Sequence, residues 1–474
     1  MKPVVTPGAF SQARVLVAGL ALFFIFGLTA CGGGGGGSSA PLPSGGGGGG
    51  GGTGTLFMYA FLPGSSPSTT YSVSGFSVNT TTGALTAISG VPASTSVPNG
   101  TCPPGSKCQT SGTTYYPDSI LYLASDADNT IRPFTLNTST GALTEQTGAT
   151  STYTGFLNTA NDSGRAVQSH VSNVLYISPS TAQTGGTATV DALSVTPSTG
   201  KLTALAGTTV SSSIHVGVIT TPTYSVAASC GGTNCSSFTT YAINSDGSTG
   251  AQNGTVNVTG NAFSLVSQGS TSFLLSTDGT KIYAYPISGS GVGTIPGVTT
   301  NIGGLSGAGT TPNCQSSPTS QSNVVVLSCS SSNNGSTPTY VQGFSINTSG
   351  VMTPGSGSFN YTTTNGNNLT FDNSGKFFFT QSGGTTNTNT EYSVNASGNI
   401  APLTTTLSGY IAMPPVGEFL YLQNNNGNLT PYQINSSNGS LTAGTAQTLP
   451  TSGTGSQMFL FGGSSVQSYI PISN

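Results

Sequence analysis

From Leu56 onward the chain repeats one short sentence of apolar and polar positions. "GFSVNTTTGALTAISG" from Gly75, "PFTLNTSTGALTEQTG" from Pro133, "ALSVTPSTGKLTALAG" from Ala192, "GFSINTSGVMTPGSG" from Gly343 and "YQINSSNGSLTAG" from Tyr432 are variants of it. Each alternates large apolar with polar residues, breaks at a run of Asn, Ser and Thr ending in glycine, and resumes. Alternation at period two marks a strand with one buried face. A glycine closing the polar run supplies the positive φ of a tight hairpin turn without steric cost. Weaker copies begin at Tyr241, Tyr285 and Tyr392.

A second, more continuously apolar run precedes each hairpin, as in Leu56 to Phe61, Ile120 to Leu123, Val174 to Ile177 and Phe419 to Leu422. Such runs recur roughly every fifty residues, and three or four short strands per unit at that period predict an all-β chain built as a β-propeller. Eight hairpin units can be counted, with a ninth partial one at the C-terminus, "QMFLFGGSSVQSYIPISN". A ring must close, so the last two strands are expected to complete the first unit. That gives eight blades, with seven or nine left open where the unit edges blur near Cys102 and Thr221. Val91 to Asp118 reads as an excursion from one blade.

The N-terminal segment follows a different pattern. After Lys2 and Arg14 come fourteen residues without a charge, Val15 to Leu28, then Leu28-Thr29-Ala30-Cys31. The run is short of the ~20 residues of a membrane span and has the order of an export signal. The tetrapeptide resembles the lipobox of bacterial lipoproteins. That resemblance implies cleavage before Cys31 and lipidation of its thiol, and Gly rather than Asp at position 32 then favours an outer membrane or cell surface. The plain alternative is a secretory signal with a chance cysteine. Residues 32 to 55 are almost all Gly, Ser and Pro, a composition that buries nothing and reads as a tether. The expected organisation is therefore 1–30 signal peptide, 31–55 lipidated Cys and linker, and 56–474 propeller.

Charged residues make up only 4% of the chain, against the ~25% usual in globular proteins. Losing Lys2 and Arg14 with the signal takes the formal net charge from −3 to −5. So few basic residues exclude nucleic acid as a partner, since six to ten phosphate contacts would consume them all. The surface must be kept soluble by hydroxyls and amides, which suits a neutral ligand or a protein partner. Seven cysteines leave six once Cys31 is assigned to lipid. They fall in local pairs, Cys102 with Cys108, Cys230 with Cys235 and Cys314 with Cys329, and in an exported chain read as three disulfides. Their spacing lacks the pattern of a metal site.

"DNSGKFFF" from Asp372, "PVGEFLYL" from Pro415 and the phrase "STGALT" resemble the lactonase-like, YVTN-type β-propeller family, and the resemblance spans nearly everything from Leu56 to Asn474. It implies a propeller and, for activity, hydrolysis of a sugar lactone by acid, arginine and histidine side chains around the central channel. This chain has only His170 and His215, and beyond the signal only Arg132 and Arg165. No stretch around them matches a family motif, so no catalytic residue carries over. The candidates are His170 with Arg165, in "GRAVQSH", as a lactone-binding pair with a general base, and His215. The plain readings are loop decoration for the first two and a packed strand histidine for His215. Asp126, Asp128 and Asn129 in "SDADNT" offer oxygen ligands for calcium, but equally make a good hairpin turn. No cofactor motif is present. The reading that results is a lipid-anchored, non-catalytic binding or scaffold module, with a lactonase and a structural envelope component as the alternatives.

Overall fold

The computed structural model describes most of residues 55–462. It leaves out 1–54, 463–474 and the longer connections, chief among them 63–69, 99–109, 116–119, 153–156, 179–187, 213–217, 302–312, 331–337, 363–368, 383–387 and 450–457. The described residues are almost entirely strand and turn; the one helical element is a 3-10 turn at Thr147–Ala149. They form eight antiparallel sheets of four or five strands, together with one two-stranded pair.

The sheets follow one another along the chain. The first joins Leu56–Leu62, Ser72–Val78 and Leu85–Ala87 to a strand from the far end of the chain, Met458–Gly462. The other seven each open on an innermost strand: Thr110–Tyr115, Arg165–Gln168, Val218–Thr220, Asn261–Gln268, Asn313–Pro318, Leu369–Phe371 and Tyr410–Ala412. Each sheet then meanders outward through two further strands to a fourth, which is short except in the fourth and seventh sheets, where it runs Thr249–Asn257 and Ile400–Ser408. In the first sheet Met458–Gly462 takes the innermost place, antiparallel to Leu56–Leu62 with Phe57 opposite Gly462 and Phe61 opposite Met458. One C-terminal strand thus closes the first sheet; the second that the sequence predicted lies outside the described residues.

Packing between sheets runs in a ring. Phe57, Tyr59 and Phe61 of the first sheet pack on Leu121, Leu123 and Phe134 of the second. Buried clusters then join the second sheet to the third, the fifth to the sixth, the sixth to the seventh, the seventh to the eighth, and the eighth back to the first. Hydrogen bonds serve at the remaining junctions: Tyr176 to Gly247 between third and fourth, and Thr259 N–H to the Tyr285 hydroxyl between fourth and fifth. Radially arranged four-stranded sheets closed by a terminal strand make a β-propeller.

The recurring hairpin phrase finds its reason in this packing. In the second sheet's turn the Asn137 side chain accepts hydrogen bonds from the N–H groups of Ser139 and Thr140. The turn ends at Gly141, whose φ is +75° and whose missing Cβ would lie 2.5 Å from the Phe57 ring of the first sheet. Only glycine meets both demands. The same arrangement recurs at Gly83, held against Phe419 of the eighth sheet. Each turn is thus a docking point for the preceding sheet as well as a reversal of the chain.

Candidate functional site

A propeller's axis is lined by its innermost strands, and here neighbouring innermost strands touch from the first sheet to the fourth and from the fifth to the seventh. Read together, the eight hold Ser, Thr, Asn, Gln and apolar residues, and among their described residues Arg165 is the one that carries a charge. It stands at the start of its strand, opposite Ser178 at the end of the next. That end lies on the face where the connections between the second and third strands of each sheet emerge, opposite the face of the Asn-rich hairpins. Residues 165 to 168 are extended, so over them the chain travels about 10 Å toward the hairpin face. His170 itself and His215 lie outside the described residues.

Asp128, proposed with Asp126 and Asn129 as a calcium ligand, is engaged by a cation of the protein itself. It forms a salt bridge with Arg132, whose Nη1 also lies 3.3 Å from Asp128 Oδ1, and accepts the Thr130 hydroxyl at 2.6 Å. Burial by itself would raise the Asp128 carboxyl; the hydrogen bonds from Arg132 and Thr130 and the guanidinium charge outweigh it and hold the pKa below the ordinary carboxylate value. Arg132 is buried on the third strand of the second sheet, and its Nε donates to the Ser96 hydroxyl at 3.0 Å. Ser96 N–H in turn donates to Glu145 at 2.9 Å. This network pins residues 95–98, near the start of the expected excursion, on the second sheet, with Val97 wholly buried beneath it. Asp126 and Asn129 lie outside the described residues, and among the described residues no group of three His, Cys, Asp or Glu comes together.

Cys314 and Cys329 stand directly opposite each other in the sixth sheet, and Cys329 is fully buried and disulfide-bonded. Cys230 and Cys235 occupy the two arms of one hairpin of the fourth sheet, on either side of the Gly231–Asn234 pair. Both pairs sit on the face where Arg165 begins. Cys102, Cys108 and Cys31 lie outside the described residues.

One ionisable group escaped the sequence reading. Glu391, on the third strand of the seventh sheet, is fully buried, and neither of its carboxyl oxygens has a hydrogen-bond partner of normal geometry. Burial pushes its pKa up to about 7; the side chain of nearby Thr405 pulls the other way, and the charge of Asp372 raises it further. Nothing in "TNTEYSV" separates it from an exposed strand glutamate, because alternation alone does not say which sheet covers each face.

No protein-family model matches the chain, and no curated protein does. Among solved structures the chain is similar to a candidate 6-phosphogluconolactonase of Bacteroides fragilis, at 13% identity and TM-score 0.46, with 71% of this chain and 93% of that one covered. A counterpart from Bacteroides uniformis gives 14% identity and TM-score 0.47, covering 71% and 94%. The periplasmic gluconolactonase of Pseudomonas aeruginosa gives 13% and 0.45, covering 86% of this chain and 99% of that one. The propeller is established by the ring of sheets and not by these likenesses.

Proposed function

We propose that this chain is an exported, lipid-anchored propeller that binds rather than converts, presenting its axis and the face around Arg165 to a neutral ligand or a protein partner. The observation that carries this reading is the make-up of the innermost strands. In sequence they carry amides, hydroxyls and apolar groups, and among their described residues Arg165 is the single charge. Amide and hydroxyl groups recognise polar neutral molecules through hydrogen bonds, whereas lactone hydrolysis needs a group that takes up a proton near neutral pH. The N-terminal pattern around Cys31 supports the anchor, and the glycine-rich tether would hold the disc roughly 25 to 30 Å from the lipid.

The second reading, a hydrolase acting on a sugar lactone, draws on Arg165 at the axis and His170 five residues later. The intact protein assayed against a panel of sugar lactones separates the two. Binding without turnover is expected. Turnover lost in both Arg165→Ala and His170→Ala would overturn it in favour of the hydrolase. The third reading, a structural envelope component, calls instead for self-association at high concentration without ligand. Replacing Cys31 with Ala is expected to move the protein from the membrane fraction to the soluble one.

A further inference from the structure

The seventh sheet breaks a rule that six of its sisters keep. In each sheet one residue of the third strand comes just before the stretch that pairs with the fourth strand. In six of the other sheets that residue is Gly75, Pro133, Ala192, Pro286, Gly343 or Pro431, and its carbonyl accepts the N–H of the residue that leaves the fourth strand; in the fourth sheet it is Thr240, where the ladder also slips. All six are small or cyclic. In the seventh sheet the position is Glu391, and the ladder slips there: Tyr392 pairs with Pro402, but Thr390 pairs with Thr406. Residues 403–405 of the fourth strand thus stand opposite Glu391 alone, and the ladder is broken there.

The register shows where Glu391 is aimed. Tyr392 and its cross-strand partner Phe378 belong to the cluster shared with the sixth sheet, so Glu391 and its partner Phe379 face the other way, toward the eighth. That junction is apolar: Phe379, Leu403, Leu407, Ile411, Leu420 and Leu422. Two residues earlier, Asn389 crosses the same gap and donates to the carbonyl of Gly409 at 2.7 Å. The charged and titratable groups nearby are few. Asp372 is occupied by the N–H groups of Phe377 and Ser374 and by the Ser374 hydroxyl, Lys376 is exposed on the same turn, and Tyr432 borders the cluster from the eighth sheet. None of them neutralises Glu391.

We propose that Glu391 is a proton-binding site that couples the packing of the seventh sheet on the eighth to the surrounding pH. With the proton on, a neutral carboxyl is tolerated among these side chains. Once ionised, an unpaired charge in an apolar junction is costly enough to drive the bulge at residues 403–405 open and admit water. The inference stands apart from the anchor and from the ligand; export would add only a medium whose pH varies.

The direction follows from linkage. An unfolded glutamate ionises near 4.5 and the folded one near 7, so the folded state holds the extra proton between those values. Stability is full below the lower value, falls as pH rises, and levels off above the upper one. The folding equilibrium is expected to weaken roughly tenfold to a hundredfold between pH 5 and pH 8 on this account.

The chain has three glutamates, Glu145, Glu391 and Glu418, so carboxyl-13C glutamate labelling of the full chain reads the site without any substitution. One resonance is expected to titrate near neutrality and to vanish in Glu391→Gln. Thermal unfolding of the same pair should diverge, the wild type losing several degrees from pH 5 to pH 8 relative to the variant; Glu391→Ala, the size of Ala192 at a sister position, serves if Glu391→Gln does not fold. Three resonances all titrating below pH 5 would overturn the proposal. So would a loss of wild-type stability on adding a chelator at pH 8 that Glu391→Gln does not share, since a bound cation would then be the counter-charge.

Discussion

The ring is fastened differently on its two sides. From the eighth sheet through the first, second and third to the fourth, each junction is tied by a tyrosine. The hydroxyls of Tyr421, Tyr59, Tyr122 and Tyr176 donate to the carbonyls of Gly83, Gly141, Gly200 and Gly247, at 2.6 to 2.8 Å. Each tyrosine lies two residues beyond the side chain that packs on the same glycine, namely Phe419, Phe57, Ile120 and Val174. On the opposite side the corresponding positions are Val226, Leu275, Val326 and Phe379, with no hydroxyl to give. The junction of sixth and seventh sheets is instead filled by a column of rings: Phe359 on Tyr392 at 4.1 Å, Tyr392 on Phe378 at 5.3 Å, and Phe378 on Phe371 at 5.1 Å. A buried hydroxyl with one acceptor fixes how two sheets meet. Stacked rings add cohesion without a fixed donor–acceptor pair; the buried Glu391 lies on the opposite face of the seventh sheet, toward the eighth.

The largest effect is expected where a turn meets the preceding sheet. Gly141→Ala places a methyl 2.5 Å from Phe57 at a φ of +75°. Left-handed backbone costs a non-glycine residue about 1–2 kcal/mol, and overpacking about 1–3 more. Gly350→Ala meets Phe273 at 2.7 Å with φ +81°, but no tyrosine hydroxyl depends on its carbonyl. Chemical denaturation should therefore find both variants destabilised, with Gly141→Ala the worse by about 1 kcal/mol, the worth of the disturbed hydrogen bond.

Next comes a substitution whose sign should differ between the two sides. Burial pushes the phenol pKa of Tyr59 and of Tyr421 upward, so both stay neutral donors. Tyr59→Phe or Tyr421→Phe leaves a buried carbonyl without its donor, at a cost of about 1–2 kcal/mol. The hydroxyl of Tyr361, beside the ring column, is buried without a partner. Tyr361→Phe removes that burden, and unfolding should show it neutral or more stable by up to about 1 kcal/mol. Equal losses in all three variants would erase the distinction between the sides.

These contrasts show what the chain discloses in one dimension. The hairpin phrase, its closing glycine and the spare C-terminal strand are local, and each was legible: alternation gives strands, the Asn-led polar run gives the turn, and "MFLF" without a partner nearby has to close the ring. The tyrosine ties were not, although all four tyrosines stand in plain apolar runs. Their acceptors lie 71 to 82 residues away, or 338 for Tyr421, and no local pattern links donor to acceptor. The axis was legible only by count: scarcity of charge could be read, but that Arg165 begins an innermost strand required the sheet order. Glu391 needed both, the register to show the bulge and the neighbouring sheet to show the burial.

The smallest effect tests whether the turns matter as turns or only as docking points. Asn137→Ala removes two short-range hydrogen bonds, from the N–H groups of Ser139 and Thr140, at an exposed site. A loss of about 0.5–1 kcal/mol is expected. The third sheet already carries the control: its turn starts at Thr196, followed by Pro197, and is closed by the N–H groups of Thr199 and Gly200 on the Thr196 carbonyl. Proline limits the unfolded chain there, so Thr196→Asn should gain no more than a few tenths of a kcal/mol. If Asn137→Ala instead costs as much as Gly141→Ala, the asparagine governs how the second sheet seats on Phe57, and the turn and the junction are one cooperative unit.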